Sequence, residues 1–231
     1  VKDVSFFVRA GEIVGFAGLV GAGRTETMRL IAGADVRDSG DVRVRGEEIA
    51  IRTPRDAIAA GICLLSEDRK GEGLVLSHSS VDNFGLPNSV RFSRRGWINE
   101  RAEREEFERY RGEISIKVAG PDQLARELSG GNQQKIVLAK WLARDADVIL
   151  FDEPTRGIDV GAKYEIYQLM NRLAAEGKAI VMVSSELPEI LGMSDRILVM
   201  REGRLVGEIE NSPETTQEDV LALAMEKIAI R

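Results

Sequence analysis

Gly18-Leu19-Val20-Gly21-Ala22-Gly23-Arg24-Thr25 follows an apolar run, Ile13 to Ala17, and precedes a helical pattern, Glu26 to Ile31. A strand that ends in a glycine-rich turn and opens a helix aims backbone N–H groups at an anion, and the helix dipole adds partial positive charge there. The order glycine, four residues, glycine, basic residue, threonine is that of a phosphate-cradling P-loop, except that Arg24 stands where the pattern has lysine. Lysine brings a compact point charge to the β- and γ-phosphates, whereas a guanidinium is bulkier, planar and forked. The exchange is therefore not conservative at a tight oxyanion site. A glycine turn that merely permits close packing is the alternative, and the strand-turn-helix context argues against it.

Two further stretches carry chemistry. Val148 to Phe151 is a run of buried β residues ending in Asp152-Glu153, which places carboxylates at the tip of a sheet. Asp152 is the candidate Mg²⁺ ligand, mainly through water, and the Thr25 hydroxyl would complete the metal's shell. Glu153, pointing differently, is the candidate for polarising an attacking water. In Leu128-Ser129-Gly130-Gly131-Asn132-Gln133-Gln134-Lys135, two glycines before a helix leave N–H groups open, with Ser129 as a further donor. That is a second anion site in the same chain.

LSGGNQQK upstream of LFDEPTRGID resembles the signature of ATP-binding-cassette ATPases, and the resemblance runs from the first residues to about Gly207. It is closest to ribose, galactose and xylose importers, whose ATPase subunit carries two cassettes; GLVGAGRTE, SEDRKGEGL, LSGGNQQK, RGIDVGAK and SSELPEILGMSDRI are similar to the second. The resemblance implies a P-loop α/β fold with a mainly parallel core sheet, a peripheral antiparallel sheet and a helical lobe. It implies ATP and Mg²⁺ as cofactors, bound through Gly18, Gly21, Ala22, Gly23, Arg24, Thr25 and Glu26. Cassettes of this family meet head to tail, so Ser129, Gly130, Gly131, Asn132 and Gln133, with the D-loop Asp159, would serve ATP held by a partner. Against the family pattern, Arg24 replaces the P-loop lysine, Glu67 the Q-loop glutamine and Ser185 the switch histidine, while Glu153 fits the catalytic acid. Ser185 is shorter and neutral, and Glu67 lacks the amide donor, so hydrolysis at this chain's own P-loop is expected to be slow or absent. The implied partners are an N-terminal cassette of the same subunit and a transmembrane sugar permease, at the inner face of the plasma membrane in the cytoplasm. A non-transport cassette or a regulatory module without turnover are the alternatives.

The elements that must position these residues follow from patterning. At 231 residues with net charge −6, the chain can bury a substantial core and offers no bulk attraction to nucleic acid. It contains neither a basic stretch nor a zinc-binding insertion, so no nucleic-acid partner is expected, and no apolar run approaches the length needed to cross a bilayer. The single cysteine, Cys63, rules out a disulfide framework within the chain and reads as buried and inert. Val1 in place of Met, with a strand-like segment at once, reads as a piece of a longer polypeptide. We expect one nucleotide-binding domain over 1–231, its core at about residues 1–76 and 145–231 and a helical lobe with the signature at about residues 77–144. Strands are expected at Val4 to Val8, Ile13 to Ala17, Asp41 to Arg45, Ile62 to Leu65, Val148 to Phe151, Ala179 to Val183 and Ile197 to Met200. Helices are expected from Thr53-Pro54 to Ala60, over Glu100 to Arg111 behind an Asn99 cap, and over Gln133 to Arg144, Ala162 to Ala175, Leu187 to Met193 and Thr216 to Ala229. Ser66 to Gly73 reads as a loop at the carboxyl end of a strand, where Arg69 and Lys70 are open to phosphate, a membrane partner or solvent. The charged helix reads as a solvated face, with partner contact through Phe84, Phe107 or Tyr110 as the sharper alternative. Trp97 and Trp141 read as packing residues and His78 as a surface one.

Overall fold

The computed structural model describes residues 1–94 and 96–225. In chain order they form β1 (Ile13–Gly18), α1 (Arg24–Ile31), β2 (Val42–Val44), β3 (Glu47–Ile49), α2 (Pro54–Ala59), β4 (Ile62–Leu65), α3 (Ser80–Gly85), α4 (Ser89–Phe92), β5 (Ser93–Arg94), β6 (Trp97–Ile98) and α5 (Glu100–Glu113). There follow α6 (Gly130–Leu142), β7 (Val148–Asp152), α7 (Val160–Ala175), β8 (Ala179–Val183), α8 (Leu187–Met193), β9 (Arg196–Arg201), β10 (Arg204–Glu210) and α9 (Gln217–Met225). The chain divides into two compact units: Val1–Leu64 with Asp147–Pro154 and Met170–Arg231, and Leu65–Ala146 with Thr155–Leu169.

The first unit is built on a six-stranded sheet in the order β10-β9-β1-β8-β7-β4. β1 runs parallel to β8 and β9, β8 parallel to β7, and β10 returns antiparallel on β9. Short apolar strands buried on both faces are what helices on both sides require. Val14 and Phe16 face a core with Met28 of α1, Val181, Val183, Leu198 and Met200. On the opposite face a Cβ added at Gly15 would lie 3.0 Å from Ile190 of α8, so the missing side chain lets that helix approach. β2 and β3 form a small antiparallel sheet joined by Arg45-Gly46, both at positive φ, the twist that a two-residue hairpin needs. Thr53 caps α2 in a capping box with Asp56, and Pro54 starts it.

The structure departs from the sequence expectations at several elements. Val4 to Val8 carries no assigned strand; the inward alternation of Val4, Phe6 and Val8 is present, and Phe6 packs edge-on against Phe16 at 4.9 Å. Periodicity reports which side is buried, not whether a ladder forms. Ser66 to Gly73 is not plain loop: Arg69–Gly73 makes a π-helical turn, with the Asp68 carboxylate accepting from Gly71 N at 2.9 Å. α6 begins at Gly130, three residues earlier than expected, and β10 was not foreseen. The helix expected over Thr216 to Ala229 runs Gln217–Met225, and residues 226–229 lie outside the described residues.

The second unit is mainly helical. Asn99 Oδ1 accepts from Ala102 N and caps α5, whose buried face carries Phe107 and Tyr110. These rings close with Phe84 and Phe92 into an aromatic cluster, centroids 5.6 to 6.1 Å from Phe84. That cluster is core, so contact with a partner through Phe84, Phe107 or Tyr110 is excluded by burial. Trp97 is the reverse case: it is 82% exposed on the β5–β6 hairpin and is no packing residue. Tyr164 is likewise exposed on α7, where Ile166, Leu169, Met170 and Leu173 form the buried stripe. Cys63 is buried and His78 exposed.

Candidate functional site

β1 delivers the glycine loop to α1, and the loop's glycines are set by close contacts. A Cβ at Gly18, where φ is +148°, would lie 2.3 Å from the Met200 carbonyl oxygen; one at Gly23, where φ is +98°, would lie 3.0 Å from Gly203 Cα. The β9–β10 turn buttresses the loop from below, with Gly203 N donating to Ala22 O at 2.9 Å. No side chain caps α1, so its first N–H groups are open for an outside acceptor. Glu26 stands exposed in that first turn.

Arg24 does not extend into solvent. It is 8% exposed, and its Nη1 donates to the Ser184 carbonyl oxygen at 2.6 Å. Burial lowers its pKa against the pull of Glu153, Asp152 and Glu26. Thr25 Oγ1 donates to Asp152 Oδ1 at 3.0 Å. Asp152 ends β7, opposite Val183 of β8, and is 1% exposed. Burial pushes its pKa up to about 6; the Thr25 hydrogen bond works against this and the neighbouring Glu153 charge adds to it. Glu153 turns out of the strand at φ +49°, its N–H bonded to Val183 O at 3.0 Å, and its Oε2 accepts from Ser185 Oγ at 3.1 Å. Behind Ser185, buried Ser184 donates to Glu189 Oε2 at 2.8 Å and accepts from Glu186 N, fixing the turn after β8.

In the second unit Ser129 is the N-cap of α6, accepting from Asn132 N at 3.4 Å and Asn132 Nδ2 at 3.0 Å. Asn132 Oδ1 in turn accepts from Lys117 N at 2.7 Å. A Cβ at Gly131 would meet Ala162 Cβ at 2.9 Å, so glycine there sets the approach of α6 to α7. Asp159 caps α7, accepting from Ala162 N at 3.0 Å, and that backbone bond holds its carboxyl below the ordinary range. Ser129, Gly131, Asn132 and Asp159 line one cavity of about 220 Å³ together with Lys117, Lys135 and Glu165. Lys135 is ion-paired with Glu165.

The sequence pattern of the ABC transporter family matches residues 1–156. The chain belongs to the ABC transporter family. Ribose import ATP-binding proteins of Bacillus licheniformis and Bacillus subtilis are 54% and 53% identical over 223 residues, 96% of this ABC transporter chain. The chain spans only 45% of either relative's length. A dimeric post-hydrolysis ATP-binding cassette bound to ADP and phosphate shares the fold, with a TM-score of 0.78 at 22% identity over 92% of this chain and 90% of that one.

The structure brings the sequence-selected residues of this family member into two groups. Gly18 to Glu26, Asp152, Glu153 and Ser185 belong to the first unit; Ser129 to Gln133, Asp159 and Glu67 belong to the second. Gln133 and Glu67 stand apart from the cavity of that second group. Gln133 is buried and donates through Nε2 to Ala125 O at 2.9 Å, and Glu67 is ion-paired with Arg156. Sequence reasoning missed Lys117, Glu165, Arg156 and the Gly203 turn. Lys117 has a readable signal, the alternation of buried Ile116 and Val118 around it; the others meet partners far away in the chain.

Proposed function

We propose that this chain is a nucleotide-binding domain of an ATP-driven monosaccharide importer: the second cassette of a two-cassette subunit, weak at its own P-loop, with a signature helix that serves the first cassette's ATP. The observation that carries the weak-site reading is the Arg24 guanidinium bonded to Ser184 O, because a cation held by the fold contributes less to a phosphate than a free lysine ammonium. Glu153 supports it. Its Oε2 already accepts the Ser185 hydroxyl, so that oxygen is engaged and less free to take a proton from water.

Nucleotide phosphates would lie on the N–H groups of Gly21 and of Gly23 to Thr25, with Glu26 at the edge and Ala22, whose N–H bonds Leu19 O at 3.0 Å, shaping the turn between them. The oxygens of Thr25 and Asp152 suit Mg²⁺, a hard cation that takes one or two protein oxygens and fills its shell with water and phosphate. Bound there, the ion would neutralise phosphate charge. In the second group, Ser129 spends its lone pairs on Asn132 and keeps its hydroxyl proton for a phosphate oxygen, beside the open N–H groups of Gly130 and Gly131 and the Lys117 ammonium. Asn132, Gln133 and Asp159 would shape that surface.

The ribose-import role of these relatives and their roughly doubled length support a partner cassette in the same polypeptide and a sugar permease at the cytoplasmic face of the membrane. Among the described residues no helix is long and apolar enough to cross a membrane, so attachment would be through that permease. The test is ATP turnover of the isolated chain, of the remainder of the natural polypeptide carrying its first cassette, and of their mixture. Three altered stabilisers, each worth on the order of a hundredfold, predict slow turnover alone and a large gain on mixing. An isolated chain as fast as the mixture refutes the reading.

A further inference from the structure

Arg156 holds one loop at two points. Its guanidinium forms an ion pair with Glu67, and its own carbonyl oxygen accepts from Arg69 Nη1 at 2.9 Å. Arg69 thereby lies across the start of α6. A Cβ at Gly130 would fall 2.8 Å from Arg69 Nη2 and 3.1 Å from Gly157 O, so the arginine and the turn after Arg156 occupy the space that any side chain at 130 would need. The far end of the loop is anchored on the same helix: Lys140 Nζ donates to Gly73 O, and a Cβ at Gly73 would lie 3.2 Å from Val137. Between the anchors, the Asp68 carboxylate closes the turn on Gly71 N.

We propose that Arg156 and Glu67 are a positioning pair: they seat Arg69 against Gly130 and thereby fix the angle at which the first turn of α6 presents Ser129 and Asn132. Glu67 acts through its ion pair and not as an acid toward water. The side chains of the pair are 63% and 38% exposed, so losing it shifts the local geometry while the fold stays intact. The assignment rests on the reading of Ser129 as the group that serves a partner's ATP.

The experiment uses the full natural polypeptide that carries this chain, with Arg156→Ala, Glu67→Ala, and the exchange Glu67→Arg with Arg156→Glu. Each single change is expected to lower kcat about tenfold with KM for ATP within about twofold, and the exchange to return kcat to within about threefold of wild type. Amide hydrogen exchange at Asn132 and Gln133, whose N–H groups bond to Ser129, is expected to quicken in the single variants and to slow again in the exchange. Wild-type kcat in Arg156→Ala, or an exchange no better than the two losses combined, overturns the pair; so does altered protection with no loss of kcat. Hydrogen exchange needs no turnover. A wild type without ATPase activity therefore defeats the cassette reading, and protection at Asn132 and Gln133 still decides the pair.

Discussion

Asp152 is held at a cost that its neighbours only partly offset. Its pKa is raised from 3.8 to about 6, so the protonated form contributes stability in full below about pH 4, and that contribution is lost as pH rises through about 6. At neutral pH the buried anion burdens the fold. Asp152→Asn is therefore expected to raise unfolding stability by about 1–3 kcal/mol near pH 7 and to change it little near pH 4, as read from urea midpoints at the two pH values. The proposed function runs the other way: a Mg²⁺ held by Asp152 would need the anion, so Mg²⁺-dependent nucleotide binding should weaken as pH falls below about 6, and Asp152→Asn should abolish it. A variant no more stable than wild type near pH 7 would remove burial as the cause. The charge is kept where stability alone would discard it, as expected of a functional group.

The helices and strands were legible where the signal is local. Thr53-Pro54 sets its own cap, Asn99 caps α5, and the apolar run Ile62 to Leu65 becomes β4 as read. Local reading failed where two local rules conflict. Gly130 and Gly131 are poor helix formers, yet α6 includes both, because the Ser129 cap closes the first turn and the approaches of Arg69 and Ala162 require glycine. It also failed where pairing is distant: nothing near Glu67 announces Arg156, 89 residues away. The candidate residues were chosen from spacing, which carries no sign of the partners they bond to. The same helix carries Lys140, which is 7% exposed and donates to Gly73 O, and burial lowers its pKa from 10.5 to about 8. A depressed lysine contributes stability that is present above its unfolded value of 10.5 and is lost as pH falls through about 8. Relative to Lys140→Met, the wild type should lose up to about 1.4 kcal/mol per pH unit between about pH 10 and about pH 8, measured by urea unfolding of both proteins across that window. Parallel pH profiles would mean that the ammonium is solvated through Gly73 and pays no burial penalty.

At the scale of the whole molecule, the chain carries two groups of candidate residues, to which the proposed function gives unequal prospects. The P-loop group has its basic residue bonded to Ser184 O and its acid bonded to Ser185, while Ser129, Gly131 and Asn132 face an open cavity. If that second group completes ATP bound by another cassette, damage to it must cost more than damage to this chain's own loop. Ser129→Arg puts a long cation where a hydroxyl faces the cavity. In the full polypeptide it should lower ATP turnover by about a hundredfold or more, the loss expected when a transition-state donor is removed. Arg24→Ala deletes a guanidinium that the fold already uses. It should weaken nucleotide binding at this P-loop by about tenfold, the effect of one lost charge-assisted contact, and leave most of the turnover in place. Steady-state turnover and nucleotide titration of the two variants separate the possibilities. Undiminished hydrolysis in Ser129→Arg contradicts a shared site, and complete loss in Arg24→Ala contradicts a weak one. The opposite ranking would make Arg24 the principal phosphate ligand, and its bond to Ser184 O would then have to break when nucleotide binds.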